Sequence, residues 1–196
     1  MRIPLFDVQS GFGGTEPGVP GPVTAEQLLD EMRRLSIRRA LVRITPDTLD
    51  SDAVLSNRKL FKATAAHREL TPCPIVIPNT GYDLPCEEDQ VKAAIDHGAG
   101  AVCIRPVRDT WSLEPWCCDS LFRVLQAHRM PVFCLERMIG PQDVANIAGR
   151  YPDLPVIFAE LNYRAQRSYL PLLETYPNVY LSTGNNFTIF GGIEQV

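Results

Sequence analysis

The chemistry this chain could perform rests on polar residues that follow short apolar runs. These are Asp7 and Gln9, Arg43 and Thr45, Asn79, Arg105, Glu136 with Arg137, Glu160 with Asn162 and Tyr163, and Ser182 with Thr183 and Asn185. Moving a proton at neutral pH calls for carboxylates, and Asp7, Glu136 and Glu160 are the candidates for acid–base work. Glu136 and Glu160 end consecutive buried runs, and neighbouring strands lie ~4.8 Å apart, so the two carboxylates can come close. Charges that close repel unless the pair shares a proton, Arg105 and Arg137 compensate it, or a cation sits between. An all-oxygen pair suits Mg²⁺, Mn²⁺ or Ca²⁺ better than Zn²⁺, so Glu136 and Glu160 are also candidate ligands of a hard cation. A salt-bridge network without chemistry is the equally open alternative.

Arg105, in Ile-Arg-Pro, follows a buried run and is stiffened by Pro106. Its planar fork could take a substrate carboxylate bidentately, or it could pair with Glu136 or Asp7. Gln9, Arg137 and Asn162 are the further candidates for substrate binding. Other catalytic patterns are missing from the sequence: there is no nucleophile elbow, no P-loop and no CxxC pair. The three histidines, His67, His97 and His128, fall in or at the ends of helical stretches rather than at strand ends. A His-rich zinc site is therefore not expected.

Positioning these residues requires a repeating scaffold, and the sequence supplies one. Apolar runs rich in Val and Ile begin at Ile3, Ala40, Pro74, Ala101, Pro131, Pro155 and Asn178, and predict seven strands. Continuous rather than alternating hydrophobicity marks strands buried on both faces, as in parallel sheets covered by helices. Helix signals lie between the runs: a capping box at Thr24–Gln27 ahead of Leu28, Leu29, Met32 and Leu35, and a helix from Glu87 to His97 closed by Gly98. Further helices are predicted over Asp119–His128, Pro141–Arg150 and Tyr169–Thr175. Strand followed by helix implies an α/β barrel or a doubly wound sheet. The barrel is favoured, because Ser-Gly-Phe-Gly-Gly at Ser10 lacks dinucleotide-binding spacing and Pro17, Pro20 and Pro22 break the helix that would follow it. Between Thr110 and Asp119 the stretch WSLEPWCC reads as an aromatic loop, either a hydrophobic lid or a substrate wall.

FDVQSGFG at Phe6 resembles the opening strand of the amidohydrolase-related, metal-dependent hydrolases, which read Asp-x-His-x-His-x-Gly. The likeness continues in LLDEMRRLSIRRALV, HGAGAVCIRP, RYPDLPVIFAELNY and LLETYPNVYLSTG, and so spans nearly the whole chain. It implies a TIM-like (β/α) barrel, and hydrolysis or non-oxidative decarboxylation of a small, often carboxylated molecule. In such relatives two histidines of the first strand, one from a later strand and an Asp of the eighth hold a divalent metal, usually zinc. This sequence departs from that pattern. Gln9-Ser10-Gly11 replaces the His-x-His pair, Leu135 and Glu136 end the fifth strand, Glu160 ends the sixth, and Val196 comes just after the seventh. The expectation is an incomplete or fragmentary barrel. Either it is a hydrolase or decarboxylase, or it is a relative that has lost its metal and serves as a ligand-binding or oligomer-forming subunit.

Composition bounds the remaining possibilities. The 196 residues are 45% apolar, enough for one domain with a sizeable core. A net charge of -4 and a pI near 5.4 offer no basic stripe to nucleic acid. The N-terminus lacks the apolar stretch of a signal peptide or membrane span, so a cytoplasmic protein is expected. The six cysteines fit reduced thiols, with Cys73, Cys103 and Cys134 acting as small hydrophobes within strands. A seventh strand without an eighth leaves unpaired edges, which favours a homo-oligomer.

Overall fold

A computed structural model of the chain describes residues 4–14, 21–45, 52–162, 164 and 166–183. It divides into two compact units, Met1–Ile75 with Ala93–Val102, and Val76–Lys92 with Cys103–Val196. Helix and strand alternate along the described residues, and the strand pairings within each sheet run parallel.

The first unit is built on β1 (Leu5–Phe12), α1 (Ala25–Leu35), β2 (Ile37–Ile44), α2 (Ala53–Ala66) and β3 (Leu70–Pro72), with the strands in the order β1-β2-β3. Thr24 caps α1 in both directions: its hydroxyl accepts from the Gln27 N–H at 3.3 Å, and the Gln27 side chain accepts from the Thr24 N–H at 3.2 Å. The helix buries Ala25, Leu28, Leu29 and Met32 on a single stripe, which packs with Phe12, Ala40, Val42, Leu60 and Leu70. Leu35, at the end of that stripe, is left exposed. Asp52 caps α2 by accepting from the Leu55 N–H at 2.9 Å, a signal the sequence reading passed over.

The second unit holds most of the other elements: α3 (Glu87–Asp96), whose last residues belong to the first unit, then β4 (Val102–Ile104), α4 (Pro115–Ala127), β5 (Val132–Leu135), α5 (Pro141–Arg150), β6 (Val156–Ala159), α6 (Gln166–Thr175) and β7 (Val179–Ser182). Its strands run β4-β5-β6-β7, with Leu135 level with Ala159 and Ala159 level with Ser182. Buried residues fill the strands completely in β4 and β5, as the unbroken apolar runs require. The Asn178 amide donates to the carbonyls of Ala148, Tyr151 and Leu154 at 3.2, 3.1 and 2.9 Å. That contact ties the Tyr-Pro-Asn-Val-Tyr segment to the Tyr-Pro-Asp-Leu-Pro turn.

Two expectations are corrected. The third strand lies at Leu70–Pro72 rather than from Pro74, where only Ile75 makes an isolated bridge. Pro72 and Pro74 lack the N–H groups a longer ladder would need. The stretch WSLEPWCC is only partly a loop, because Pro115 starts α4 and draws Trp116, Cys117 and Cys118 into its first turn. Burial pushes the Cys118 thiol up to about 12. Cys73, Cys103 and Cys134 are buried thiols, and Cys86 is exposed. The three histidines sit at or just past helix ends, with His97 stacked on Phe61 at 4.0 Å.

Candidate functional site

The carboxyl ends of β4, β5 and β6 bring Arg105, Glu136 and Glu160 to one edge of the second unit's sheet. Glu136 continues the ladder, its N–H donating to the Ala159 carbonyl at 2.9 Å. Its half-buried carboxylate takes two neutral donors: the Asn162 N–H at 3.0 Å on one oxygen and the Tyr169 hydroxyl on the other. Tyr169 comes from α6, is almost fully buried, and meets Phe158 edge to face at 5.5 Å. Burial, and then the negative charge of Glu136, push the Tyr169 hydroxyl well above the usual tyrosine range, so it stays protonated and donates.

Glu160 is held differently. Its backbone is left-handed, with φ at 61°, a conformation that costs a residue carrying a Cβ and that clusters at functional sites. Its carboxylate forms an ion pair with Arg137, on the turn after β5. Of the ways two adjacent carboxylates can coexist, compensation by Arg137 is the one seen at Glu160, while Glu136 relies on neutral donors.

Arg105 is completely buried, and its fork is occupied. Nε and Nη2 donate to the two oxygens of Asp109 at 3.0 and 2.7 Å. Neither Glu136 nor Asp7 is that partner. The turn is closed by the Asp109 N–H on the Arg105 carbonyl at 2.8 Å, so the pair sits at the end of β4 as a nearly neutral unit.

In the first unit, Asp7 marks a bulge in β1, where pairing jumps from Asp7–Ala40 to Ser10–Val42. Its carboxylate accepts from the Gln9 N–H at 2.8 Å and the Ser10 hydroxyl at 2.5 Å, supplying partners that the interrupted ladder omits. Gly11 is a close-approach position: a Cβ there would lie 2.6 Å from Thr45 Cγ2 and 3.0 Å from the Arg43 carbonyl. A histidine at residue 11 therefore does not fit this strand as packed. Among the described residues no three of His, Cys, Asp and Glu gather as a metal would need, and Glu136 and Glu160 bring Tyr169, Asn162 and Arg137 in place of a third ligand. The described residues do not fit the His-rich divalent metal site of the resembled family. Tyr163 and Asn185, named from the sequence, lie outside the described residues.

Two residues of the site escaped the sequence reading. Tyr169 was seen only as the start of a helix, since its distance from Glu136 along the chain hides the contact. Asp109 was readable in principle, because an Arg and an Asp four apart after a strand can close one turn on each other.

Comparison with known proteins places this arrangement. The chain superposes on an uncharacterised TIM-barrel protein from Bordetella bronchiseptica with a TM-score of 0.72 at 14% identity, covering 98% of this chain and 79% of that one. An amidohydrolase 2 from Bifidobacterium longum subsp. infantis gives 0.60 at 17% identity, over 97% and 77% of the two chains. The 5-carboxyvanillate decarboxylase of Novosphingobium aromaticivorans, complexed with manganese and 4-hydroxy-3-methoxy-5-nitrobenzoic acid, gives 0.60 at 14% identity, over 83% and 63%. The fold is thus the α/β fold of TIM-barrel proteins, as expected. The amidohydrolase family model matches residues 22–190, and the chain belongs to that family. No curated protein matches it. No helix among the described residues is long and apolar enough to cross a membrane.

Proposed function

We propose that this protein acts on a small carboxylated molecule at the carboxyl ends of β4–β7, as a hydrolase or non-oxidative decarboxylase in which Glu136 is the general acid–base. The observation that supports this is the setting of Glu136. In the second unit it is the described strand-end carboxylate held by neutral donors, while Glu160 and Asp109 are bound to arginines. Glu136 has no arginine to displace before it meets a substrate, whereas Glu160 and Asp109 are engaged by Arg137 and Arg105. In decarboxylation, Glu136 would protonate the carbon that keeps the electron pair of the broken C–C bond as carbon dioxide leaves. In hydrolysis it would remove a proton from the attacking water. A decarboxylase acting on an aromatic carboxylate is among the structural neighbours, which fits this substrate class.

A second reading, a ligand-binding relative without catalysis, is favoured by the closed pairs Arg105–Asp109 and Arg137–Glu160. The two are separated by titrating the protein with 5-carboxyvanillate in a calorimeter and following carbon dioxide release with and without added manganese. Binding with turnover that Glu136→Gln abolishes supports the enzyme. Binding without turnover selects the second reading, and the absence of both refutes the carboxylate site.

A further inference from the structure

We propose that the indole N–H of Trp111 is a ligand-binding donor, meeting an acceptor oxygen of the carboxylated molecule taken up at the end of β4. The inference rests on the proposal above that the second unit binds such a molecule, and it deepens it by naming a residue that selects the ligand. Trp111 is fixed close to the strand end. The chain leaving Ile104 coils back on itself, with the Asp109 N–H on the Arg105 carbonyl at 2.8 Å and the Trp111 N–H on the Pro106 carbonyl at 3.1 Å. Thr110, with φ at 53°, makes the left-handed step that presents the tryptophan. The forked Arg105–Asp109 pair then locks the turn from inside.

In this fixed setting the ring is only partly covered, yet its Nε1 atom is buried and meets no acceptor among the described residues. An indole nitrogen is a donor and nothing else, so no rearrangement of its own can satisfy it. Buried donors in folded proteins are almost always met, so one that the described residues leave unmet is a position where a bound acceptor would be stabilised. The other tryptophan, Trp116, is 79% exposed, as a ring serving only as rim cover would be. An N–H donor bonds a charged oxygen more strongly than a neutral one, which suits the carboxylate of such a molecule. This gives the aromatic stretch after β4 a polar role in addition to that of a hydrophobic wall.

Trp111→Phe keeps an aromatic ring and removes the donor. With benzoate as the probe, the ¹⁵N–¹H spectrum of the wild type should show one of its two indole signals moving on titration, and Trp116→Phe should identify it as Trp111. Benzoate should bind Trp111→Phe about tenfold more weakly, the loss of one hydrogen bond to a charged acceptor. The ¹⁵N–¹H spectrum of Trp111→Phe should stay dispersed, which shows that the variant is folded when its benzoate affinity is read. Equal benzoate affinity in Trp111→Phe and wild type would overturn the proposal while leaving the carboxylate site standing. A wild type that does not bind benzoate would refute the carboxylate site itself, and this donor role with it.

Discussion

Replacing Arg105 by Lys tests whether the arginine fork is a structural clamp. The guanidinium is completely buried and makes two charge-assisted bonds, at 3.0 and 2.7 Å, to an Asp109 side chain that is itself only 11% exposed. An ammonium keeps the charge but cannot span both oxygens in the forked geometry, so one such bond is lost, at a cost of about 1.5–3 kcal/mol. Arg105→Ala removes the cation altogether and leaves a nearly buried carboxylate uncompensated, at about 3–5 kcal/mol. Against a total stability of roughly 5–15 kcal/mol, the alanine variant should lose a large share of its stability and the lysine variant a smaller one. Urea unfolding followed by circular dichroism, with an unchanged slope, reads both values. Arg105→Ala/Asp109→Ala should cost less than the sum of its single variants, because the stranded charge is gone. Arg105→Lys within about 0.5 kcal/mol of wild type, or strict additivity in the double variant, would show that the fork is not holding this turn.

Two further outcomes follow from the packing. Gly11→Ala should destabilise the first unit by about 1–3 kcal/mol, since its Cβ would lie 2.6 Å from Thr45 Cγ2, and Thr45→Ser should recover part of the loss in a thermal melt. Failure of the second substitution to help would place the strain elsewhere. Stability should also fall as the pH rises above about 10, where unfolded tyrosines ionise. Folded Tyr169 is raised, chiefly by burial, and burial pushes folded Tyr151 up to about 12. The folded state therefore holds protons that the unfolded state has released, so alkali drives unfolding, whereas below that range both states are protonated and the effect vanishes. Urea midpoints at pH 9, 10 and 11 should fall less steeply in Tyr169→Phe than in wild type, and identical profiles would contradict this account of Tyr169.

Much of the fold was legible because it is written in short-range patterns. The unbroken apolar runs that became β4 and β5 report burial on both faces, and the Thr24–Gln27 capping box and Pro141 report helix starts through neighbours in the chain. The third strand was misplaced because PIVI at Pro74 is as apolar as a strand, while the prolines that deny it ladder hydrogen bonds act on the partner as much as on the run itself. At the site, the positions of Arg105, Glu136 and Glu160 followed from where the apolar runs stop. Their states did not. Whether Glu136 faces an arginine or a tyrosine depends on how α6 packs against β5 and β6, and that brings Tyr169 across a separation of 33 residues. Likewise the sequence shows Gly11 where relatives carry histidine, but only the 2.6 Å approach of Thr45 explains why a side chain is unwelcome there. Residue types and local periodicity determined the elements and which side chains stand at their ends. The pairing of those side chains, and with it their charge, was decided by tertiary packing, because hydrogen bonds and ion pairs act over a few ångströms of space regardless of distance along the chain.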